Sequence, residues 1–382
     1  VTKVTEDWLT DPVTQKVCAI LTDAGHQALF VGGCVRNALL GVPVSDLDIS
    51  TDARPERVME LAKAAGLKAV PTGIDHGTIT VVANHEPYEI TTFRRDVETD
   101  GRRAVIAYAD TIEEDAHRRD FTMNALYARP DGQVIDPVGG LSDLADRRFR
   151  FIGTAENRIR EDYLRILRFF RFHAWYGDAS VGIDPDGLAA CAANLEGIET
   201  LSKERIGTEM LKLLGAPDPA PSVASMQQAG ILAQVLPGAD ATALAVLVHL
   251  EGLFKIAPDP VRRLALIGGE NQTDRLRLSR ENQRRLQALR DGIGGTEANM
   301  ELGYRLKDQA TDVVLLRAAL MGTPPAEGWQ DAVAKGAKAT FPVKSADLMP
   351  DVTGAALGAK LKELETRWLE SGMTLTKSDL LG

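Results

Sequence analysis

Asp46 and Asp48 sit two residues apart in the stretch DLDIST. In a strand, side chains at i and i+2 share a face. Two carboxylates so placed repel each other, and any burial adds a desolvation cost. A hard divalent cation such as Mg²⁺ resolves both problems by accepting oxygens from each. The ordinary reading of the pair is a solvated turn. Just upstream lies VGGCVRNALLG, where Gly32 and Gly33 separate a short apolar run from a helix-like one. Glycines there let a phosphate approach the backbone and the free N–H groups of a helix start. Arg36 falls one turn later, within reach of the same phosphate. An ordinary tight turn accounts for the glycines alone. Glycine turn, arginine and paired acids together describe a Mg-nucleotide site suited to metal-assisted phosphoryl chemistry.

A second constellation is EDYLRILRFFRF at 161–172, where Asp162, Arg165, Arg168 and Arg171 recur every third residue. Read as one helix, these residues share a face. They could form a plain salt-bridged surface. They could also read a nucleobase. A carboxylate accepts from the exocyclic amine of cytosine or adenine, while a guanidinium donates to the neighbouring ring nitrogen or carbonyl. Uracil and guanine would leave mismatched groups, at about 1–3 kcal/mol each.

The elements needed to position these residues are legible from periodicity. Up to about residue 150 the pattern is mixed. ALFVGG reads as a strand, CVRNALLG as a helix, DLDIST as a strand, RPERVMELAKAAG as an amphipathic helix and LKAVPT as a strand. GTITVVA and YEITTFRR, separated by NHEP, read as a hairpin. DVETDGRRAVIAYADT reads as a mobile loop, and IEEDAHRRDFTMNALY as helical. From about Leu141 onward nearly every segment has a helical period, with punctuation such as GAPDPAPS. The expected class is α+β, a head with a small mixed or antiparallel sheet followed by a long helical region.

The chain has 382 residues, enough for two to four domains, with 44% hydrophobic and 26% charged residues. Three scattered cysteines, Cys18, Cys34 and Cys191, suit a reducing compartment and show no metal-ligand spacing with histidine. The opening stretch VTKVTEDWLTDP lacks a signal-like apolar core, and TALAVLVHLEGLF is too short and interrupted to span a bilayer. A cytoplasmic location is therefore expected. The net charge of −10 speaks against a nucleic-acid partner only on average: eight arginines lie between Arg262 and Arg290, against Glu270, Asp274 and Glu281. Such asymmetry permits a phosphate-binding stripe on an acidic protein.

VGGCVRNALLGVPVSDLDIST resembles the nucleotidyltransferase signature of class II tRNA CCA-adding enzymes and bacterial poly(A) polymerases, members of the DNA polymerase beta-like superfamily. GIDHGTITVV and YEITTFRRD look like the next strands and the entry to that family's flexible loop. RRDFTMNALY at 118–127 is similar to its RRDFTINA segment, and LSKERIGTEMLKLL at 201–214 to its final motif. The family usually has Asp where this chain has Asn37. The resemblance is dense from Leu29 to Leu214 and generic beyond.

The resemblance implies that Asp46 and Asp48 are catalytic and hold Mg²⁺. It implies that Gly33 and Arg36 hold the triphosphate, that Arg119 contacts the nucleotide and that Asp120 buttresses the adjoining helix start. Asp162 and Arg165 would read the base, with Arg168 and Arg171 nearer the phosphates or supporting the pair. The loop at 96–107 would re-shape the pocket between C and A. Glu89 is either a third carboxylate near the metals or a surface strand acid paired with arginine. The final motif would brace the base-reading helix. The implied layout is a catalytic head at 1–140, a helical neck at 141–215, a body at 216–275 and a tRNA-binding tail at 276–382, the helical part being elongated. The implied activity is template-independent addition of CCA to the 3′ end of tRNA from CTP and ATP. The alternatives are poly(A) polymerase and a non-catalytic RNA-binding protein on a decayed transferase fold. No obligate protein partner is expected. Without a His-Asp dipeptide anywhere, no His-Asp phosphohydrolase activity is expected either.

Overall fold

The computed structural model describes residues 2–99 and 104–382. The chain divides into two compact units, Val1–Pro237 and Gly238–Gly382. As expected, an N-terminal mixed sheet with flanking helices gives way to a long series of helices.

The first unit is built on a seven-stranded sheet. Its strands are β1 (Leu29–Val31), β2 (Asp48–Thr51), β3 (Lys68–Gly73), β4 (Thr78–Ala83), β5 (Glu86–Thr92), β8 (Tyr127–Ala128) and β9 (Val134–Ile135). They lie in the order β3-β4-β5-β2-β1-β8-β9. β2 and β5 run parallel and all other neighbours antiparallel. Alternation sets the faces: Ile79 and Val81 on β4 and Tyr88, Ile90 and Thr92 on β5 are buried, while Glu89 between them is exposed. Helices α1 (Pro12–Thr22), α2 (Gly33–Leu40) and α3 (Pro55–Ala64) accompany the sheet. α2 starts at Gly33 because Gly32, at φ 73° and ψ −121°, adopts a backbone that side chains resist.

Three local expectations need correction. DLDIST is not all strand: β2 begins at Asp48, and Asp46 lies in the irregular lead-in. The stretch read as a mobile loop contains two antiparallel strands, β6 (Arg94–Thr99) and β7 (Ala104–Tyr108). Residues 100–103 of that stretch lie outside the described residues. IEEDAHRRDFTMNALY is helical only as α4 (Ile112–His117), with a 3₁₀ turn at Thr122–Asn124 before β8.

Beyond the sheet come α5 (Ala155–Glu161), α6 (Leu164–Tyr176) and α7 (Lys203–Leu214). Phe121, beside the 3₁₀ turn, packs against Phe151 and Phe172, and Phe149 stacks on Phe172 at 5.4 Å. This aromatic core holds α6 against the sheet-side turn.

In the second unit, α8 (Pro260–Ile267), α9 (Arg280–Gly294), α10 (Asn299–Leu306), α11 (Ala310–Met321) and α12 (Trp329–Lys338) dominate. Arg262 and Arg263 are buried and paired: Arg262 with Glu251 and Asp312, Arg263 with Glu251. Arg285 bridges Asp259 and Asp312 at 2.7 Å each. The arginine stripe expected to grip phosphates is thus partly internal scaffolding. Arg277, Arg280, Arg284 and Arg290 are its exposed members. Among the described residues no helix is long and apolar enough to cross a membrane.

Candidate active site

The site grows from the middle of the sheet. Asp48 opens β2, and the parallel register sets it opposite Glu89 of β5, on the same face. Burial first, then the charges of Glu89 and Asp46, together raise the Asp48 carboxyl to about 6 against the opposing pull of Arg119. Asp46 is close enough to be felt but does not share the strand. It is exposed, accepts from Ser45 Oγ at 2.9 Å, and lines a cleft of 590 Å³ with Trp8, Val44, Leu47 and Tyr88. Among the described residues no group of three or more His, Cys, Asp or Glu side chains is gathered to hold a metal ion. Cys34 lies against the same strand, but burial lifts its thiol to about 11, so it offers no thiolate.

The glycine turn lies between two guanidiniums. A Cβ on Gly32 would sit 3.7 Å from Arg119 Nη1, and a Cβ on Gly33 would sit 3.7 Å from Arg36 Nη2. Each arginine is held from behind. Arg119 donates through Nε to Tyr127 Oη at 3.1 Å and through Nη2 to Asp115 Oδ2 at 3.2 Å and Ser50 Oγ at 3.5 Å. Burial works against its charge, but Tyr127 and Asp115 more than compensate and raise its pKa. Asp115 is fully buried and also accepts from Tyr127 Oη at 2.7 Å. Arg36 is buried and donates to Asn124 Oδ1 at 2.5 Å and Asn37 Oδ1 at 2.9 Å, with its guanidinium 4.1 Å from the Tyr176 ring centroid. Asn37, where the resembling family has Asp, accepts from Arg36 while donating to the Pro43 carbonyl at 2.9 Å.

The segment expected to read the base differs most from expectation. It is not one helix: the chain breaks at Asp162, whose φ of −155° and ψ of 105° end α5, and α6 begins at Leu164. Asp162 and Arg165 are neighbours across this break without pairing through side chains. Asp162 Oδ2 accepts from Arg205 Nη2 at 2.7 Å, and its Oδ1 accepts from the Leu164 N–H at 3.1 Å. Arg165 donates to Glu161 Oε2 at 2.6 Å and to the Arg118 carbonyl at 3.1 Å.

Further along α6, Arg168 donates to Asp120 at 2.7 Å and Arg171 to Glu209 at 2.5 Å. Burial opposes ionisation of Asp120, but Arg168 and the Asn124 amide hold it down at about 2. Arg36, Arg168 and Arg171 all face the Phe172 ring, at 5.1, 5.0 and 4.2 Å from its centroid. Three guanidiniums therefore share one aromatic side chain, two of them paired with buried carboxylates.

Gly33, Arg36, Arg119, Arg168 and Arg171 thus form one connected cluster with Asp48 at its sheet end. Asp162 and Arg165 stand beside it at the α5–α6 break. Sequence reasoning passed over Asp115, Asn124, Tyr176, Glu161, Arg205 and Glu209. Their local signals, such as an acid in the first turn of α4, are those of any helix surface.

A family described as the poly A polymerase head domain matches residues 28–150, and one described as a probable RNA and SrmB-binding site of polymerase A matches residues 181–242. Human mitochondrial CCA tRNA nucleotidyltransferase 1 is 31% identical over 388 residues, covering 93% of this chain and 86% of that protein. A CCA-adding enzyme of Streptococcus pyogenes is 46% identical over 208 residues, 53% of this chain and 50% of that enzyme. The structure of a Bacillus stearothermophilus CCA-adding enzyme in complex with CTP superposes with a TM-score of 0.76 at 27% identity, covering 96% of this chain and 94% of that one.

Proposed function

Because the chain belongs to the family of class II CCA-adding enzymes and poly(A) polymerases, within the DNA polymerase beta-like superfamily, we propose that it adds CCA to the 3′ end of tRNA from CTP and ATP. The terminal 3′-hydroxyl oxygen bonds to the α-phosphorus, the bond from that phosphorus to the bridging oxygen breaks, and pyrophosphate leaves. The carrying observation is the glycine turn flanked by Arg119 and Arg36, with Asp48 on the adjoining strand.

In this reading Gly33, Arg36 and Arg119 hold the triphosphate, and Arg168 and Arg171 add positive potential behind it. Asp162 accepts from the amine of cytosine or adenine and Arg165 donates beside it. Arg205 holds Asp162, Glu161 holds Arg165 and Glu209 holds Arg171.

The family carries out metal-dependent nucleotidyl transfer. Asp46 and Asp48 would hold Mg²⁺ here, with Glu89 facing Asp48 from β5. The fit rests on their chemistry: hard oxygens, and an Asp48 carboxyl that burial and its acidic neighbours push up. A bound magnesium ion supplies polarisation of the attacking hydroxyl and neutralisation of charge on the leaving pyrophosphate. Exposed arginines of α9 would contact tRNA phosphates without reading sequence. A cytoplasmic location belongs to the same reading, supported by three buried free thiols.

A second reading, poly(A) polymerase, is favoured by the description of the matching head family. Incubation of tRNA lacking its last three nucleotides with CTP alone separates the two. Addition of two C residues is expected; no incorporation of C would overturn CCA addition.

A further inference from the structure

The break that presents Asp162 is held by a ring seated on a glycine. Tyr163, between Asp162 and the first residue of α6, lies against Gly197 of the 3₁₀ turn Leu195–Thr200. A Cβ on Gly197 would fall 2.0 Å from Tyr163 Cδ1, 2.1 Å from Cε1 and 2.4 Å from Cγ. Such distances leave no room for a methyl group. Because Cγ is one bond from the Tyr163 Cβ, swinging the ring tip cannot relieve the clash. The χ1 angle or the backbone at 163, or the turn that carries Gly197, must move, and Asp162 is the residue next to Tyr163.

Asp162 cannot easily absorb that movement. Its Oδ1 is tied to the Leu164 N–H at 3.1 Å, its Oδ2 to Arg205 at 2.7 Å, and its carbonyl to the Arg165 N–H at 3.0 Å. The same short stretch therefore sets the direction of the Asp162 carboxylate and the start of the turn that carries Arg165. We propose that Gly197 and Tyr163 are positioning residues for base selection: the ring packed on the bare glycine backbone fixes the bend that aims Asp162 at the incoming base. Their action would run through Asp162. The inference rests on the reading of Asp162 and Arg165 as the base-selecting pair.

The test is the ratio of kcat/KM for CTP to that for UTP, on tRNA lacking its terminal CCA, in the full-length enzyme. A ratio does not change with the fraction of enzyme that is folded, so a merely structural role leaves it unmoved. G197A and Y163A are each expected to lower the ratio by about tenfold or more, the scale on which small misplacements of reacting or recognising groups act. The double variant Y163A/G197A is expected to match Y163A alone, because without the ring the methyl group has space. Y163A introduces no clash and keeps the test open should G197A fail to fold. Parallel losses for CTP and UTP at a constant ratio would overturn the proposal. D162A separates the two levels of inference. If D162A collapses the ratio while Y163A and G197A preserve it, the positioning role is wrong. If D162A preserves it, the base-reading assignment itself is wrong, and the proposal falls with it.

Discussion

Arg168 on α6 donates its Nε hydrogen to Oδ2 of Asp120 at 2.7 Å, in a pair whose acid is 7% exposed. Asp120 also accepts from the Phe121 N–H at 2.8 Å and from the Asn124 amide at 3.0 Å. Asn124 in turn receives Arg36, so a single carboxylate links α6 to the glycine turn. Removing one partner of such a buried pair typically costs about 3–5 kcal/mol. The acid side can be tested by pH. The Asp120 carboxyl lies at about 2 in the fold and near its ordinary 3.8 when unfolded. Its stabilisation is therefore complete above pH 3.8 and is lost as pH falls from there towards 2. The difference amounts to about 2 kcal/mol. Urea unfolding of D120N is expected to show a lower midpoint at neutral pH and a smaller loss across that acid window than the parent protein.

The strand register that sets Glu89 opposite Asp48 predicts a part for it in the metal site proposed above. D48N is expected to lower kcat/KM for CTP addition by about 1,000-fold, and E89Q by about 10–100-fold. Affinity for tRNA, measured by filter binding without nucleotide, should change less than about twofold in both. Full activity in E89Q would return Glu89 to a plain strand position.

The glycine turn predicts a steric effect. At Gly32 the φ of 73° strains any side chain, while a Cβ would meet Arg119 Nη1 and the Asn124 carbonyl only at ordinary contact distances of 3.7 and 3.6 Å. G32A is expected to raise the KM for CTP and for ATP together, by about tenfold or more, because both share the triphosphate. A selective effect on one nucleotide would place the turn at the base instead.

In the second unit, R280Q/R284Q removes two exposed charges from α9. It is expected to flatten the dependence of tRNA binding on salt, lowering the log–log slope by about one to two. R262Q should act differently. Arg262 is 4% exposed and joined to Glu251 and Asp312, so its loss should appear as a lower melting temperature.

The crossing of α10 and α12 predicts a packing cost. A Cβ on Gly336 would lie 1.8 Å from the Met300 carbonyl oxygen, and one on Gly303 would lie 2.1 Å from that of Val333. The two backbones touch, so neither helix can yield through a side chain. G336A is expected to destabilise this unit by about 1–3 kcal/mol, read as a lower unfolding midpoint in urea.

Local chemistry carried much of the site into view before any fold was known. Gly32 and Gly33 before a helix, Asp46 and Asp48 two apart, and the Asp162–Arg165 spacing are all short-range patterns, and period-two alternation in TITVV and PYEIT marked the strands. These signals survive because backbone preference and amphipathicity act over a few residues. Where local reading failed, a long-range contact decided. Nothing near Glu89 says that β5 pairs in parallel with β2 and sets it beside Asp48. The helix through 161–172 breaks because Arg205 and Gly197, more than thirty residues away, hold Asp162 and Tyr163. Arg262 and Arg285 resemble phosphate-gripping arginines until Glu251, Asp259 and Asp312 fold over them.

The amino-acid order alone thus determined which chemical groups were available and roughly which elements carried them. Only the tertiary structure decided their partners: which carboxylate stands next to Asp48, which arginines are buried counter-ions and which remain exposed. The physical reason is that the charge state and reach of a side chain depend on what shares its few ångströms of space, and those neighbours come from distant parts of the chain.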